Sequence, residues 1–315
     1  MDFKGIVKGL HHVTATVSDA QDDYEFYTKT LGLRLVKETV NFDNEKVYHF
    51  YYANRNGLPS TVFTTFPYKG QAVRDGVIGA GQATHTAFSV PTASLGFWKN
   101  RLIKLGVSFS EGTLFGLVVL NFKDPSGLQI QLVGSDDDQR EQVWTYNEIT
   151  EQEAIKGIHH VMLTVQDAAE TKGFLEVFGY AVKKEEGDMI LLEAGEGGPG
   201  NMLIVISAPI GDRGINGIGT VHHVAHRVDS LEDSLKIKAY MEDHAGLSVT
   251  EVRDRKYFKS IYFRIPGGVL FEVATSGPGF MVDETIENLG SALKLPDWQE
   301  PNRGRIEANL LKYEK

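Results

Sequence analysis

The fold is decided by Thr220-Val221-His222-His223-Val224-Ala225 and its twin near the start of the chain, Leu10-His11-His12-Val13-Thr14. Each reads as a β-strand opening on a His-His doublet. Successive strand side chains point to opposite faces, so one imidazole of each doublet is expected to look into a cavity, here His12 and His223. Their neighbours His11 and His222 are expected to look away or to lie at the rim. Downstream of the second doublet, Gly268-Val269-Leu270-Phe271-Glu272-Val273 reads as a further strand offering a carboxylate. Two imidazoles and one carboxylate hold a divalent metal on one face and leave its other positions open to small molecules. His12, His223 and Glu272 are therefore the expected metal ligands.

Working outward, the same pattern recurs four times. A strand His is followed seven residues later by a helix-capping type of residue: Asp19 after His12, Thr92 after His85, Asp167 after His160 and Ser230 after His223. A helix-like run then stops at Gly32, Gly106, Gly179 or Gly246, where a left-handed residue commonly ends a helix. Short β-branched and aromatic segments follow, such as Lys46 to Tyr52 and Tyr257 to Phe263. The turns Asp124-Pro125-Ser126-Gly127 and Ile265-Pro266-Gly267-Gly268 each introduce a last strand. The unit is strand, helix, then three strands, and such repetition fixes the architecture. The modules fall near 6–68, 80–135, 155–208 and 217–276. The fold class is α+β, with four βαβββ modules in two tandem domains, 1–138 and 155–315, and a linker at 139–154. The linker region begins in the acidic, polar stretch Ser135 to Gln142, read as a surface segment. A tail from Phe280, with helix signals over Asp283 to Leu293 and Arg303 to Leu311, is expected to wrap the C-terminal half.

Composition limits the function. A chain of 315 residues with 42% apolar and 23% charged residues is an ordinary soluble globular protein of about two domains. A formal net charge of −10 without a basic run argues against nucleic acid and anionic membrane surfaces as partners, and leaves a small molecule. No apolar run is long enough to span a bilayer and no leader is evident, so the expected location is cytoplasmic. Zero cysteines exclude disulfides, thiolate ligands and a Cys nucleophile, so a metal must be held by N and O donors. A homo-oligomer is left open.

Four such modules, with a His on the first strand and a Glu on the last, resemble the vicinal oxygen chelate superfamily of glyoxalase I, extradiol dioxygenases and antibiotic-resistance proteins. Within it, Gly9 to Thr14, Val221 to Ala225, Asp254 to Arg264 and Gly268 to Phe280 are similar to the Fe(II) dioxygenases that open hydroquinones and catechols. Leu295 to Trp298 and Arg303 to Ala308 in the tail are similar to theirs too. The resemblance implies Fe(II), with Mn(II) as an alternative, and a small aromatic substrate with O2 as partners. It also implies that His11 and His222 line the pocket as orienting or acid-base groups. Arg255 and Tyr262, otherwise read as a solvated charge and as core packing, become candidates for stabilising an anionic phenolate. Thr14 shares the strand face of His12 and is a catalytic candidate beside a core-filling role.

A glyoxalase-type lyase or isomerase takes a last-strand carboxylate from two modules. Module one's terminal strand, Thr61 to Pro67, has none, and three ligands leave room for a hydroxylated ring and O2. A metal-free binding protein of this fold would be expected to have lost one of the three ligands. Modules two and three carry a shadow of the site in His85, His160 and Gln131, where a neutral amide replaces the carboxylate, so one metal per chain is expected. His49, His226 and His244 are read as structural, and Tyr48-Phe50-Tyr51-Tyr52 as core.

Overall fold

A computed structural model describes residues 2–208 and 211–315. In chain order, module one is β1 (Leu10–Val17), α1 (Ala20–Tyr24), β2 (Arg34–Asn41), β3 (Asn44–Ala53) and β4 (Val62–Pro67). Module two is β5 (Gln82–Val90), α2 (Leu95–Lys104), β6 (Phe109–Leu114), β7 (Leu117–Lys123) and β8 (Gln129–Gly134). Module three is β9 (Gly157–Val165), α3 (Ala168–Val177), β10 (Tyr180–Glu186), β11 (Met189–Ala194) and β12 (Met202–Ser207). Module four is β13 (Thr220–Val228), α4 (Leu231–Asp243), β14 (Arg253–Asp254), β15 (Lys259–Arg264) and β16 (Leu270–Thr275), and the tail carries α5 (Arg303–Asn309).

The local signals act much as their chemistry dictates. Asp19, Asp167 and Ser230 side chains accept the first free backbone N–H groups of α1, α3 and α4. Thr92 does not cap α2: the chain enters through a 3-10 turn after Pro91, and the Asp136 carboxylate accepts the Thr92 N–H instead. The first helix changes to π winding over Glu25–Thr30. Gly32, Gly106, Gly179 and Gly246 all have φ between 64° and 108°, the left-handed region that ends each helix.

Strand pairing crosses the sequence halves. One eight-stranded sheet runs β14-β15-β16-β13-β1-β4-β3-β2 and the other β10-β11-β12-β9-β5-β8-β7-β6. Module one is thus joined to module four, and module two to module three, through the antiparallel pairs β1·β13 and β5·β9. In every module the first and last strands pair in parallel, which sets the last-strand side chains beside the first-strand histidines. One face of both sheets and the helices share a continuous core that includes Tyr27, Phe63, Phe88, Trp98, Phe178 and Phe271. The opposite, curled face of each sheet forms a cup.

The tail departs from its sequence reading. Over 280–293 it contains only 3-10 turns at Phe280–Val282 and Ile286–Asn288, because Phe280 and Leu289 turn inward onto Val36, Tyr51 and Tyr257 in the first cup. It also wraps module one as well as module four: Leu293 bridges Glu38 on β2, and α5 lies on β3. The sharing of one sheet by these modules is the reason. The fully buried Lys37 amine reaches Asp283 at 2.6 Å and also pairs with Glu284, while the Tyr257 hydroxyl donates to Asp283 at 3.2 Å. The acidic stretch after module two is not simply solvated. Asp138 is buried against the Ser89 hydroxyl and the Arg140 guanidinium, which also donates to the carbonyls of Ser60 and Ile158.

Removing one partner of a buried ion pair strands the other charge. Lys37→Ala is expected to cost about 3 kcal/mol in urea unfolding and to open the tail between residues 280 and 293 to limited proteolysis. Unchanged cleavage would separate the tail's position from this pair.

Candidate metal centre

The site is built by register. His12 on β1 lies opposite Ala225 on β13, Ala225 lies beside Glu272 on β16, and Glu272 lies opposite Tyr262 on β15. Residues directly across a sheet share a face, so His12, Ala225, Glu272 and Tyr262 form one row on the cup's wall. The methyl of Ala225 leaves His12 and Glu272 free to lean toward each other. His223, two residues before Ala225, points to the same face from the next row, opposite Thr14.

The three donor atoms converge. His12 Nε2 is 3.2 Å and His223 Nε2 2.8 Å from Glu272 Oε2, and the two Nε2 atoms are 3.3 Å apart. Adjacent donors on an octahedral face, each about 2.1 Å from a metal, lie about 3.0 Å from one another. Glu272 is fully buried and its Oε2 has no hydrogen-bond partner, a cost that a cation would remove. Among the described residues this is the one group of three or more His, Cys, Asp or Glu side chains that could hold a metal.

Neighbouring groups fix the protonation that metal binding requires. The strict alternation expected of the doublets fails, because β-bulges at His11 and His222 let two residues oppose one on the partner strand. Both imidazoles of each doublet therefore meet: Nδ1 of His11 is 2.9 Å from Nδ1 of His12, and the His222–His223 separation is 2.7 Å. Burial pulls His11 down to about 3, so its imidazole is neutral. The Thr275 carbonyl takes the other ring proton of His11. His11 Nδ1 must then accept the proton of His12 Nδ1, which leaves a lone pair on His12 Nε2, where the donors converge. The Tyr262 hydroxyl donates to Glu272 Oε1 at 2.9 Å. Burial and the Glu272 charge hold that phenol far above its usual range, so it stays a donor and Oε2 stays free. Burial alone would raise Glu272, but His12 and His223 outweigh it and keep the carboxylate ionised.

A cavity of about 330 Å³ opens above the donors. His222 is exposed at its mouth, where the sequence reading expects a rim position. Arg255 lines it, donating to the Tyr262 oxygen at 3.2 Å and to Asp43 on the β2–β3 turn at 3.0 Å. His11 and Thr14 do not line it: His11 is buried behind His12 against Phe258, and the Thr14 hydroxyl bonds Thr64 at 2.8 Å. His49 and Tyr51, read from sequence as structural and core, both line the cavity, with His49 Nε2 2.9 Å from the Thr64 hydroxyl. Their i, i+2 spacing on β3 was the available signal. His226 is structural as expected, its Nδ1 2.9 Å from the Tyr180 hydroxyl. Thr64 has a further meaning. It lies beside Thr14, two residues past His12, as Glu272 lies beside Ala225, two past His223. A fourth, carboxylate ligand would stand there, and a hydroxyl tied to Thr14 and His49 stands there instead.

Residues 9–132 and 157–273 match the family model of the glyoxalase/bleomycin resistance protein/dioxygenase superfamily. The chain belongs to this superfamily. Two relatives of this superfamily member span nearly its whole length. A Bacillus subtilis (strain 168) protein provisionally named ring-cleaving dioxygenase MhqE is 46% identical over 95% of this chain and 97% of its own. The chlorohydroquinone/hydroquinone 1,2-dioxygenase of Sphingobium indicum is 36% identical over 92% of this chain and 91% of its own. The crystal structure of a provisionally named dioxygenase from Bacillus subtilis superposes with a TM-score of 0.92 at 42% identity, covering 98% of both chains.

If the superfamily fold serves one metal per chain, elemental analysis of His223→Ala should find the metal lost, and His160→Ala should keep it. Equal loss in both would exclude a single centre.

Proposed function

We propose that the protein opens the ring of a small hydroquinone- or catechol-type aromatic with O2, beside a ring hydroxyl in the extradiol manner, at Fe(II) held by His12, His223 and Glu272. The observation that carries this reading is the three-donor face with Thr64 in place of a fourth carboxylate. Mn(II) suits the same N and O donors. The relatives named for ring cleavage and for hydroquinone support the substrate class. When bound by His12, His223 and Glu272, Fe(II) would supply activation of O2 toward a hydroxylated ring.

The chain's own residues bind, orient and manage protons. Phe66, Tyr51 and Phe258 wall a cavity at the small end of the range for ligand pockets, which suits a single substituted ring. Arg255 brings a cation to the side of the cavity nearest Tyr262 and stabilises negative charge on a ring oxygen. His222, at the cavity mouth, accepts through Nδ1 the His223 Nδ1 proton, which leaves His223 Nε2 free to ligate, and its own Nε2–H donates to an oxygen of an arriving substrate. His11 and Tyr262 hold His12 and Glu272 in their ligating states. Thr14 steadies Thr64 and, through it, His49. No helix among the described residues is long and apolar enough to cross a membrane.

Anaerobic loading with Fe(II), followed by oxygen uptake with a panel of hydroquinones and catechols, tests the reading. His222→Ala should lower kcat/KM by about tenfold to a hundredfold while iron content is unchanged, the loss of one hydrogen bond worth about 1–3 kcal/mol. Full-rate conversion of a thiol hemiacetal without O2 would replace ring cleavage with isomerisation.

A further inference from the structure

Four imidazoles line the cavity over the metal centre: His12, His223, His222 and His49. The first three are converging donors or are paired to one, and His49 is neither. It stands on β3, two residues before Tyr51, which lies opposite Thr64 on β4. Because β4 separates β3 from β1, the strand of His12, the two imidazoles arise two strand spacings apart, about 10 Å along the curled wall. An aromatic ring held by one oxygen at the donors and lying across the cavity brings its far side toward His49. The His49 imidazole is half-buried. Tyr51 and Phe66 pack against its faces, with ring centroids 4.0 and 4.2 Å away, so it meets the cavity by an edge.

A short chain of hydroxyls decides what that edge offers. Thr14 Oγ1 is 2.8 Å from Thr64 Oγ1, which is 2.9 Å from His49 Nε2. Thr14 and Thr64 both have 0% exposure, and neither hydroxyl has another partner among the described residues. If His49 Nε2 carried the proton and donated it to Thr64, the hydroxyl proton of Thr14 or of Thr64 would be left without an acceptor. In the opposite sense every proton is placed, because Thr14 donates to Thr64 and Thr64 donates to Nε2. Burial holds His49 well below the usual histidine range, so its ring is neutral and carries one proton. With Nε2 accepting, that proton sits on Nδ1, which has no partner among the described residues. The wall across from the metal donors therefore presents one oriented N–H.

We propose that His49 is a substrate-binding residue that donates from Nδ1 to the ring oxygen opposite the hydroxyl held at the metal centre, and so favours a para-diol over an ortho-diol. This role rests on the ring-cleavage reading. Calorimetric titration of the iron-loaded protein under nitrogen measures it without turnover. The preference for hydroquinone over 4-methylphenol, in which a methyl group replaces the far hydroxyl, should fall about tenfold in His49→Phe. Catechol, whose hydroxyls are adjacent, should bind the variant and the parent alike. His49→Asn, whose amide N–H replaces Nδ1–H, should keep most of the hydroquinone preference. Iron content and thermal melting report whether each variant is folded. Should His49→Phe fail to fold, Thr64→Val, which removes the hydroxyl that fixes the tautomer at nearly constant shape, should lower the same preference about threefold. An unchanged preference in the folded variant would overturn the role of His49 alone. An equal loss for hydroquinone, 4-methylphenol and catechol would replace it with packing. If the parent protein bound neither hydroquinone nor catechol, the ring-cleavage reading would fall and this role with it.

Discussion

A fully buried carboxylate, Glu272, is the constraint on which the site depends. Left alone in the sheet it would be uncharged or destabilising, since an isolated ion costs several kcal/mol to bury. Two imidazoles from two different modules converge on its Oε2, and the protonated Tyr262 occupies its Oε1. That arrangement exists only if β1 and β13 are neighbours. Pairing module one with module four is therefore as much a property of the site as of the fold, and the tail that covers this cup is anchored to the same pair of modules.

The two sheets share a grid and differ in what occupies it. In the first, the row through Ala225 carries His, Glu and Tyr, and the row through Thr14 carries polar and aromatic groups. In the second, the row through Ala87 keeps His but replaces Glu by Gln, and the adjoining row keeps His85 but continues through Met162, Ile204 and Leu191. One substitution, carboxylate to amide, removes the negative charge that a hard cation needs. The same backbone then separates into a charged, ion-ready cup and an apolar one.

Much of this was legible in the chain itself. The fourfold His, cap and Gly spacing gave the modules, and ligands at opposite ends of the sequence required modules one and four to meet. The bulges were not legible, because a His-His doublet looks the same in a regular strand, and they are what turn His11 into a support for His12. His49 and Tyr51 were hidden for a related reason: an alternating aromatic strand does not say which face is hollow. The role of Thr64 needed the register of a parallel pair, which sequence does not supply. The 280–293 segment carries helix formers, yet tertiary packing of Phe280 and Leu289 overrides that propensity.

Anomalous diffraction at the iron edge, from crystals loaded with Fe(II) under nitrogen, tests the central claim most directly. A single peak per chain is predicted, about 2.2 Å from His12 Nε2, His223 Nε2 and Glu272 Oε2, as expected for N and O ligands. A peak beside His160 and Gln131, or one that Glu272 does not touch, would contradict it.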